Sequence, residues 1–186
     1  MKKFIVFTVL LLSWVAAQAQ WSVGVDARIA PWGQERKNAG TDIMVSYKIP
    51  VKSFYVMPSV GLFYKKYYEE LDCDPSWYVK HGYQTGFDLT VVAGKSFGLG
   101  IGTLSVFTGP RYAYAYASKS HVFTDLVPNS FDWRIGVDYT FSKFTVSAKC
   151  DIATLKFQKD SDTPYHKAKY TEHQVPALAI GLAYNF

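Results

Sequence analysis

The sequence lacks an apolar run long enough for a transmembrane helix. Such a helix needs about 18 or more consecutive apolar residues, and no stretch of the 186-residue chain reaches that length. A sustained helical period is missing as well, so helices are not expected to be the main elements. The net charge is also small: it is formally +5, and the charged residues are spread along the chain. A positive charge of this size and distribution is too weak to indicate a nucleic-acid partner.

Residues 1–19 are predicted to be a cleaved signal peptide, followed by a single barrel domain over residues 20–186. Lys2 and Lys3 form a short basic start, and an apolar run extends from Phe4 to Leu12. Ala17 and Ala19 fit the small-residue pattern of a signal-peptidase site. We therefore expect export from the cytoplasm, and we expect the mature chain to begin near Gln20.

Eight segments in which polar and apolar residues alternate are predicted to be β-strands, near 21–30, 41–50, 54–66, 84–96, 103–117, 130–141, 143–155 and 174–186. Successive side chains of a strand point to opposite faces, which produces this period of two. Short turns at 51–53, 97–102 and 142 alternate with longer polar loops at 31–40, 67–83, 118–129 and 156–173. This arrangement is typical of an outer-membrane barrel with periplasmic turns and extracellular loops.

The two faces of the predicted strands differ sharply in composition. One face is apolar, as in Ile135 and Val137 of the sixth strand, and the sequence places no charge at the positions assigned to it. The other face carries small residues and ten charges, five acidic and five basic: Asp26, Arg28, Lys48, Asp88, Arg111, Asp132, Arg134, Asp138, Lys149 and Asp151.

This division of residues predicts a membrane barrel with an inverted interior. An eight-stranded barrel is only just wide enough inside for side chains, so we expect the bulky apolar residues to face lipid and the small and charged residues to face inward. Buried charges must be paired, and their equal numbers allow pairing. We therefore predict an all-β, eight-stranded antiparallel up-and-down transmembrane barrel of the outer-membrane type, with an interior plugged by paired charges and with both termini periplasmic.

The last predicted strand resembles the C-terminal signal that outer-membrane barrels present to their insertion machinery. Tyr184 and Phe186 share a face with Leu178, Ile180 and Leu182. Aromatic residues at the two ends of apolar strand faces are expected at the membrane interfaces. Outer-membrane lipid and the barrel-insertion machinery are accordingly the predicted partners. Prolines 58 and 110, which lack a backbone N–H, are expected to cause local bulges.

Three stretches of the sequence resemble the outer-membrane β-barrel domain family that includes the PorT-like proteins. They are LSVFTGPRYAYAY at 104–116, FDWRIGVDYTFSKFTVSAKCDIATLK at 131–156 and ALAIGLAYNF at 177–186. These are strand and turn patterns without reactive residues. The resemblance implies the barrel fold and an outer-membrane location, and it leaves the role of the chain open.

No residue pattern indicates a catalytic, cofactor or metal site. The four histidines, His81, His121, His166 and His173, lie in or beside the predicted loops without tight ligand spacing. Cys73 and Cys150 are expected to be free thiols, because Cys150 lies on the outward face of a strand whereas Cys73 lies in an outer loop. The loop at 67–83 is the most suggestive surface feature, since aromatic residues such as these are common anchors at recognition surfaces: Tyr67, Tyr68, Trp77 and Tyr78.

Three functions remain open from the sequence. The first is a non-enzymatic outer-membrane barrel with a structural or surface-interaction role, which could include an extracellular or secretion-apparatus protein partner. The second is a small pore or a component of a secretion or transport apparatus. The third is a lipid-A-modifying enzyme, which the sequence favours least because Ser118–His121 has the residue types of a known deacylase site but not their order.

Overall fold

A computed structural model describes residues 20–30, 36–73, 76–119, 129–155 and 176–186, and these form one closed antiparallel barrel. Its eight strands are β1 Gln20–Ala30, β2 Arg36–Val51, β3 Phe54–Cys73, β4 Ser76–Leu99, β5 Gly102–Lys119, β6 Asn129–Phe141, β7 Phe144–Leu155 and β8 Ala177–Asn185. Each strand pairs with the next, and β8 pairs with β1 from Ser22 opposite Asn185 to Ile29 opposite Leu178. The prediction of an eight-stranded all-β barrel is confirmed. The predicted signal peptide lies outside the described residues.

Within the described ranges, no helix is long and apolar enough to cross a membrane.

Three tight turns lie at one end of the barrel, which we call the turn end; the opposite end is the loop end. The turns join β2 to β3 at 52–53, β4 to β5 at 100–101 and β6 to β7 at 142–143. The first residue of each turn, Lys52, Gly100 or Ser142, has a positive φ between 52° and 60°. Two-residue turns need such a backbone because it matches the right-handed twist of the strands that they join.

The prediction of a long loop at 67–83 is wrong, because β3 and β4 continue through it as a paired hairpin. Tyr67 lies opposite Gly82, and Cys73 lies opposite Ser76. The described pairing of β4 with β5 ends at Tyr83 opposite Lys119. We call residues 70–73 and 76–82 the hairpin arm. Charged and aromatic residues dominate this segment, so it lacks the alternation of apolar and polar faces from which the other strands were predicted.

The two prolines on the outward face interrupt strand pairing but do not cause the predicted bulges. Pairing of β2 with β3 passes from Ser46–Ser59 to Ile49–Val56 with no change of register, and Pro58 lies in this gap. Pro110 lies in a similar gap between β4 and β5. A proline has no N–H to donate, and each gap is on one side of its strand. The register shifts are elsewhere, at Thr85/Gly86 and at Phe131/Asp132.

The expectation that bulky apolar side chains all face outward is also wrong. Tyr55, Val92 and Phe107 form a buried apolar cluster inside the barrel, and Phe63 packs with two alanines in a second cluster. Glycines on neighbouring strands leave space for these rings, since a Cβ on Gly136 would collide with the Phe107 ring. The narrow interior therefore holds aromatic side chains where the adjacent wall has no side chain.

Candidate functional site in the barrel interior

The structure places all ten predicted interior charges on the inner face of the barrel wall. Arg111 is fully buried, and the exposed fractions of Asp26 and Asp88 are 1% each. Asp42 on β2 joins them as a further buried carboxylate with no exposed surface. The neighbouring outward residues of the same strands, such as Val25 and Ile43, are about half exposed. Alternation along each strand thus separates charged from apolar side chains.

Arg111 on β5 lies at the centre of a group of ion pairs near the loop end. Its Nη2 donates to Oδ2 of Asp88 at 2.8 Å, and its Nη1 donates to Oδ2 of Asp132 at 3.0 Å. Carboxylate oxygens of Asp42 and Asp151 each lie 3.9 Å from a guanidinium nitrogen of the same residue. Four carboxylates from four different strands therefore surround one guanidinium.

Two further arginines connect these carboxylates to one another. Arg28 reaches Asp42 at 2.6 Å and Asp151 at 2.8 Å. Arg134 binds both oxygens of Asp151, at 2.7 Å through Nε and at 3.0 Å through Nη2. We refer to the three arginines and four aspartates together as the Arg111 network: Arg28, Asp42, Asp88, Arg111, Asp132, Arg134 and Asp151. Its members come from six of the eight strands, and their ion pairs connect these strands through the interior of the barrel.

The geometry of the Arg111 network is what makes these buried charges tolerable. Removing a charge from water costs several kcal/mol, and this cost is offset only where partners are close and well oriented. Arginine suits this position because its planar guanidinium presents several donors at once and stays charged. Since each of the four aspartates lies within 3.0 Å of an arginine nitrogen, all four are committed to ion pairs.

A separate ion pair lies between the Arg111 network and the turn end. Nζ of Lys149 on β7 donates to both oxygens of Asp26 on β1, at 2.8 and 2.7 Å. Gly181 on β8 makes this contact possible, because a Cβ there would collide with Oδ1 of Asp26. β8 therefore contributes small residues to the interior, as the sequence predicts, and leaves room for the longer side chains of its neighbours.

The turn end of the interior contains a polar cavity of about 410 Å³, which we call the vestibule. Seven serine and threonine residues contribute to its lining, together with Lys48, Asp138 and the Asp26–Lys149 pair. Lys48 has no carboxylate within salt-bridge distance among the described residues; its Nζ lies 3.3 Å from Oγ of Ser96 and 4.0 Å from the Tyr55 ring centroid. Oδ1 of Asp138 is buried without a hydrogen-bond partner in the described structure.

The carboxylates of the Arg111 network are engaged in ion pairs. A general base needs a carboxylate or imidazole free to accept a substrate proton, and the aspartates of the Arg111 network already accept from arginines. Among the described residues, no group of three or more His, Cys, Asp or Glu side chains is placed to hold a metal ion. His121, His166 and His173 lie outside the described residues, and so does the side chain of His81. Cys150 is a free thiol.

The residues predicted for surface recognition lie on the strands that lead into and form the hairpin arm. Tyr67 and Tyr68 belong to β3, and Trp77 and Tyr78 belong to β4, with Leu71 opposite Tyr78 in the pairing. The structure does not describe the side chains of these four residues. Their backbone register is nevertheless fixed: Tyr67 is level with Ala30 at the end of β1, and the other three lie farther out on the loop side of the wall.

The residues of the predicted assembly signal lie at the turn end and face outward. Tyr184 contacts Phe144 at a ring-centroid distance of 5.6 Å and Phe186 at 5.2 Å. The backbone N–H of Phe186 donates to the carbonyl of Trp21 at 2.9 Å, which joins the end of β8 to the start of β1. The ring contacts therefore connect β8 to β7, and the backbone hydrogen bond connects the end of β8 to β1.

Asp42, Lys65 and the interior aromatics are absent from the set of interior residues predicted from the sequence. Strand alternation was a sufficient signal for Asp42, since Ile43 and Val45 face outward. Lys65 follows the same alternation beyond Phe63, and its Nζ lies 4.8 Å from the Phe63 ring centroid. Alternation also places Tyr55 and Phe107 inward, whereas the glycines that leave space for their rings are revealed only by the pairing register.

Comparison with the models of known protein families finds no match to this chain, and comparison with curated proteins finds none either. The resemblance to the PorT-like family stays a prediction.

We predict that replacing the central arginine destabilises the barrel far more than replacing the unpaired lysine of the vestibule. Arg111→Met would leave Asp88 and Asp132 buried without their closest partner, at a cost of about 3–5 kcal/mol. Lys48→Met, the matched control, removes a cation that bonds only to hydroxyl groups among the described residues, so we expect a loss below about 1.5 kcal/mol. Urea unfolding of the refolded variants measures both values, and equal losses would contradict the central role of Arg111.

Proposed function

We propose that this chain is a non-enzymatic outer-membrane β-barrel with a structural or surface-interaction role. The proposal rests on the distribution of polar and apolar side chains, which is the reverse of that in a soluble barrel. Its ion pairs lie inside, whereas a band of aliphatic side chains lies exposed on its outer surface: Leu62, Ile43, Ile135, Val137, Ile180 and Leu182 are between 42% and 69% exposed. A protein in water would gain free energy by burying such residues, at about 25 cal/mol per Å².

The exposed band extends around the closed barrel and is too extensive for an ordinary soluble surface. Soluble monomers rarely expose an apolar patch larger than a few hundred Å², whereas here every strand contributes exposed apolar residues. A closed barrel also leaves no unpaired strand edge within the wall, which is the condition for strands to span a bilayer. Lipid is therefore the surrounding that suits this surface best.

A polar group on the outward face supports the same surrounding. The indole Nε1 of Trp133 on β6 donates to Oγ1 of Thr108 on β5 at 2.7 Å, although both side chains face outward. In water such a bond would add little, because solvent would satisfy the indole N–H equally well. In hydrocarbon an unsatisfied N–H is costly, so the hydrogen bond to Thr108 would stabilise the folded barrel there.

Aromatic contacts at both ends of the band fit the expected membrane interfaces. At the turn end, Trp21 and Tyr47 have ring centroids 4.5 Å apart. Toward the loop end, Tyr64 stacks with Tyr83 at 6.3 Å. Amphipathic rings favour the level of the lipid headgroups, where one edge is wet and the other apolar. The turn end would then face the periplasm and the hairpin arm would extend outside the cell.

The filled interior favours a structural barrel over a pore. The Arg111 network joins six of the eight strands, and the buried rings of Tyr55, Phe63 and Phe107 occupy further interior space. The vestibule lies at the turn end and is lined by residues of the turns, such as Gly100 and Ser142. We propose that it is a closed recess reached from the periplasm.

The hairpin arm is the part of the barrel best suited to a surface-interaction role. β3 and β4 remain paired out to Cys73 and Ser76, beyond the described ends of the other strands. Projecting hairpins with Tyr and Trp supply the residue types that dominate recognition surfaces. An extracellular or secretion-apparatus protein is accordingly the proposed class of partner.

A pair of isoleucine substitutions tests the membrane surrounding. Ile135→Arg would place a charge at the middle of the exposed band, where the expected cost in a bilayer is about 2–4 kcal/mol. Ile101→Arg, the control, changes a residue that is 93% exposed at the tip of a turn, where the cost is roughly 0–1 kcal/mol. We expect a large loss of folded barrel in the outer-membrane fraction for Ile135→Arg and little for Ile101→Arg, as measured by the gel shift between boiled and unboiled samples. Equal tolerance of both, with the protein in the periplasmic fraction, would refute the proposal.

Conductance in a planar bilayer separates the structural barrel from the pore. Because the Arg111 network crosses the interior, we expect the purified protein to insert without steady single-channel steps. An empty bilayer treated with the same detergent serves as the control. Reproducible current steps of constant size, whose frequency rises with protein concentration, would contradict a filled interior and favour the pore.

Deletion of residues 71–78 tests the hairpin arm. The ion pairs of the barrel wall lie below these residues, so the shortened protein should still fold and show the same gel shift. We expect it to lose adhesion to surfaces or proteins that intact cells bind. A deletion strain carrying the intact gene is the control, and unchanged adhesion by the shortened protein would exclude the arm as the interaction surface.

A further inference from the structure

Lys95 interrupts the apolar outward face of the barrel near the turn end. It lies on β4 in an outward row of apolar residues: Leu89, Val91, Ala93, Phe97 and Leu99. Among outward strand positions whose side chains are described, Lys66 is the other charged residue, and it lies toward the loop end. A charged residue on this face is costly in a bilayer unless a counter-ion or water reaches it.

Lys95 lies inside the apolar surface and not at its boundary. Its Nζ is 5.6 Å from the Phe54 ring centroid and 5.5 Å from the Phe97 ring centroid. Exposed apolar residues continue beyond it toward the turn, since Leu99 is 55% and Ile101 is 93% exposed. The ammonium group is therefore surrounded by apolar surface on both sides along the strand. Rings at this distance offer a cation a weak attraction that does not replace a counter-ion.

The protein itself supplies no such counter-ion from the described outer surface. The acidic residues of the wall whose burial is described all face inward: Asp26, Asp42, Asp88, Asp132, Asp138 and Asp151. A second cation is nearby instead, because Lys52 lies in the turn that precedes Phe54, the strand partner of Lys95. Lys95 lies beside the exposed Phe54 ring, and Lys52 is exposed two residues before Phe54 in the sequence. The combined charge of the two lysines would attract an anion.

We propose that Lys52 and Lys95 form a binding site for the phosphodiester headgroup of an anionic phospholipid in the leaflet at the turn end. The two ammonium groups would hold the phosphate, and the faces of Phe54 and Phe97 would pack against the glycerol and upper acyl carbons. A lipid satisfies both chemistries at once, whereas a soluble anion would satisfy the lysines alone. The site rests on the proposed membrane location and names the lipid class that this part of the surface selects.

Lys143 provides a comparison within the same molecule. It lies in the turn between β6 and β7, and its Nζ is 5.6 Å from the Tyr184 ring centroid. It has one aromatic neighbour of this kind, and the lysine of β7, Lys149, faces inward to Asp26, so the described outward positions of β7 and β8 hold no second lysine. Lys143 is therefore a single cation at the same end of the barrel, and it distinguishes a two-lysine site from a general attraction of the turn end for anionic lipid.

The test is native mass spectrometry of the full mature barrel released from nanodiscs that contain equal amounts of phosphatidylglycerol and phosphatidylcholine. The variants are Lys52→Gln, Lys95→Gln, Lys95→Arg and the control Lys143→Gln. The gel shift of each unboiled variant establishes that it is folded. We expect Lys95→Gln to reduce the ratio of retained phosphatidylglycerol to phosphatidylcholine about fivefold, the size of effect typical of one basic residue at an anionic surface. Lys95→Arg should restore the ratio, and Lys143→Gln should leave it near that of the unchanged protein.

Several outcomes would overturn the site while leaving the membrane proposal intact. The first is a folded, inserted Lys95→Gln barrel with the same lipid ratio as the unchanged protein. The second is an equal loss of phosphatidylglycerol in Lys143→Gln. The third is displacement of the retained lipid by about 1 mM inorganic phosphate, a concentration at which a specific lipid site should keep its lipid. Failure of every variant and of the unchanged protein to enter nanodiscs would instead overturn the membrane proposal on which the site rests.

Discussion

The structure depends on one constraint, which is that a barrel of eight strands has room for very few side chains across its interior. A single buried guanidinium, that of Arg111, is surrounded by carboxylates from β2, β4, β6 and β7. Asp88 and Asp132 have Arg111 as their close partner, whereas Asp42 and Asp151 are bound more closely by Arg28 and Arg134. Buried charges such as these are tolerable only when they are paired. The strands that carry them are therefore fixed relative to one another by charge as well as by backbone pairing.

This interior arrangement also explains the distribution of small residues. Gly181 permits the approach of Asp26 to Lys149, and Gly136 leaves space for the ring of Phe107. The same narrow interior thus accommodates ions in one sector and aromatic rings in another, each opposite a wall that lacks bulky side chains. Toward the turn end the filling becomes incomplete, and Lys48 and Asp138 line a polar vestibule without a direct ion pair between them among the described residues.

The sequence was sufficient for the fold and for most of the charged interior, because both follow from a period of two. Alternation assigns Asp26, Arg28 and Arg134 to one face without knowledge of their partners. The same rule applies to Asp42, which the predicted set omitted. It also puts Tyr55 and Phe107 inward, but the glycines that make room for their rings are brought together only by the pairing register. It also failed at the hairpin arm, where the strands leave the apolar band and lose the pattern that reveals them. Partner choice within the Arg111 network requires three-dimensional distances that no linear spacing contains.

The outward face extends the same reasoning to the surroundings of the barrel. If water covered that face, solvent could accept the hydrogen bond of the Trp133 indole N–H in place of Thr108, and Lys95 would be an ordinary solvated lysine. The many exposed leucine, isoleucine and valine side chains would then have no explanation. If lipid covers it, the indole N–H must find a partner within the protein, and it does so at 2.7 Å. The ammonium of Lys95 must likewise find a partner, yet the described outer surface has no acidic side chain to offer. The phosphate that we propose near Lys52 would supply this counter-ion from the lipid.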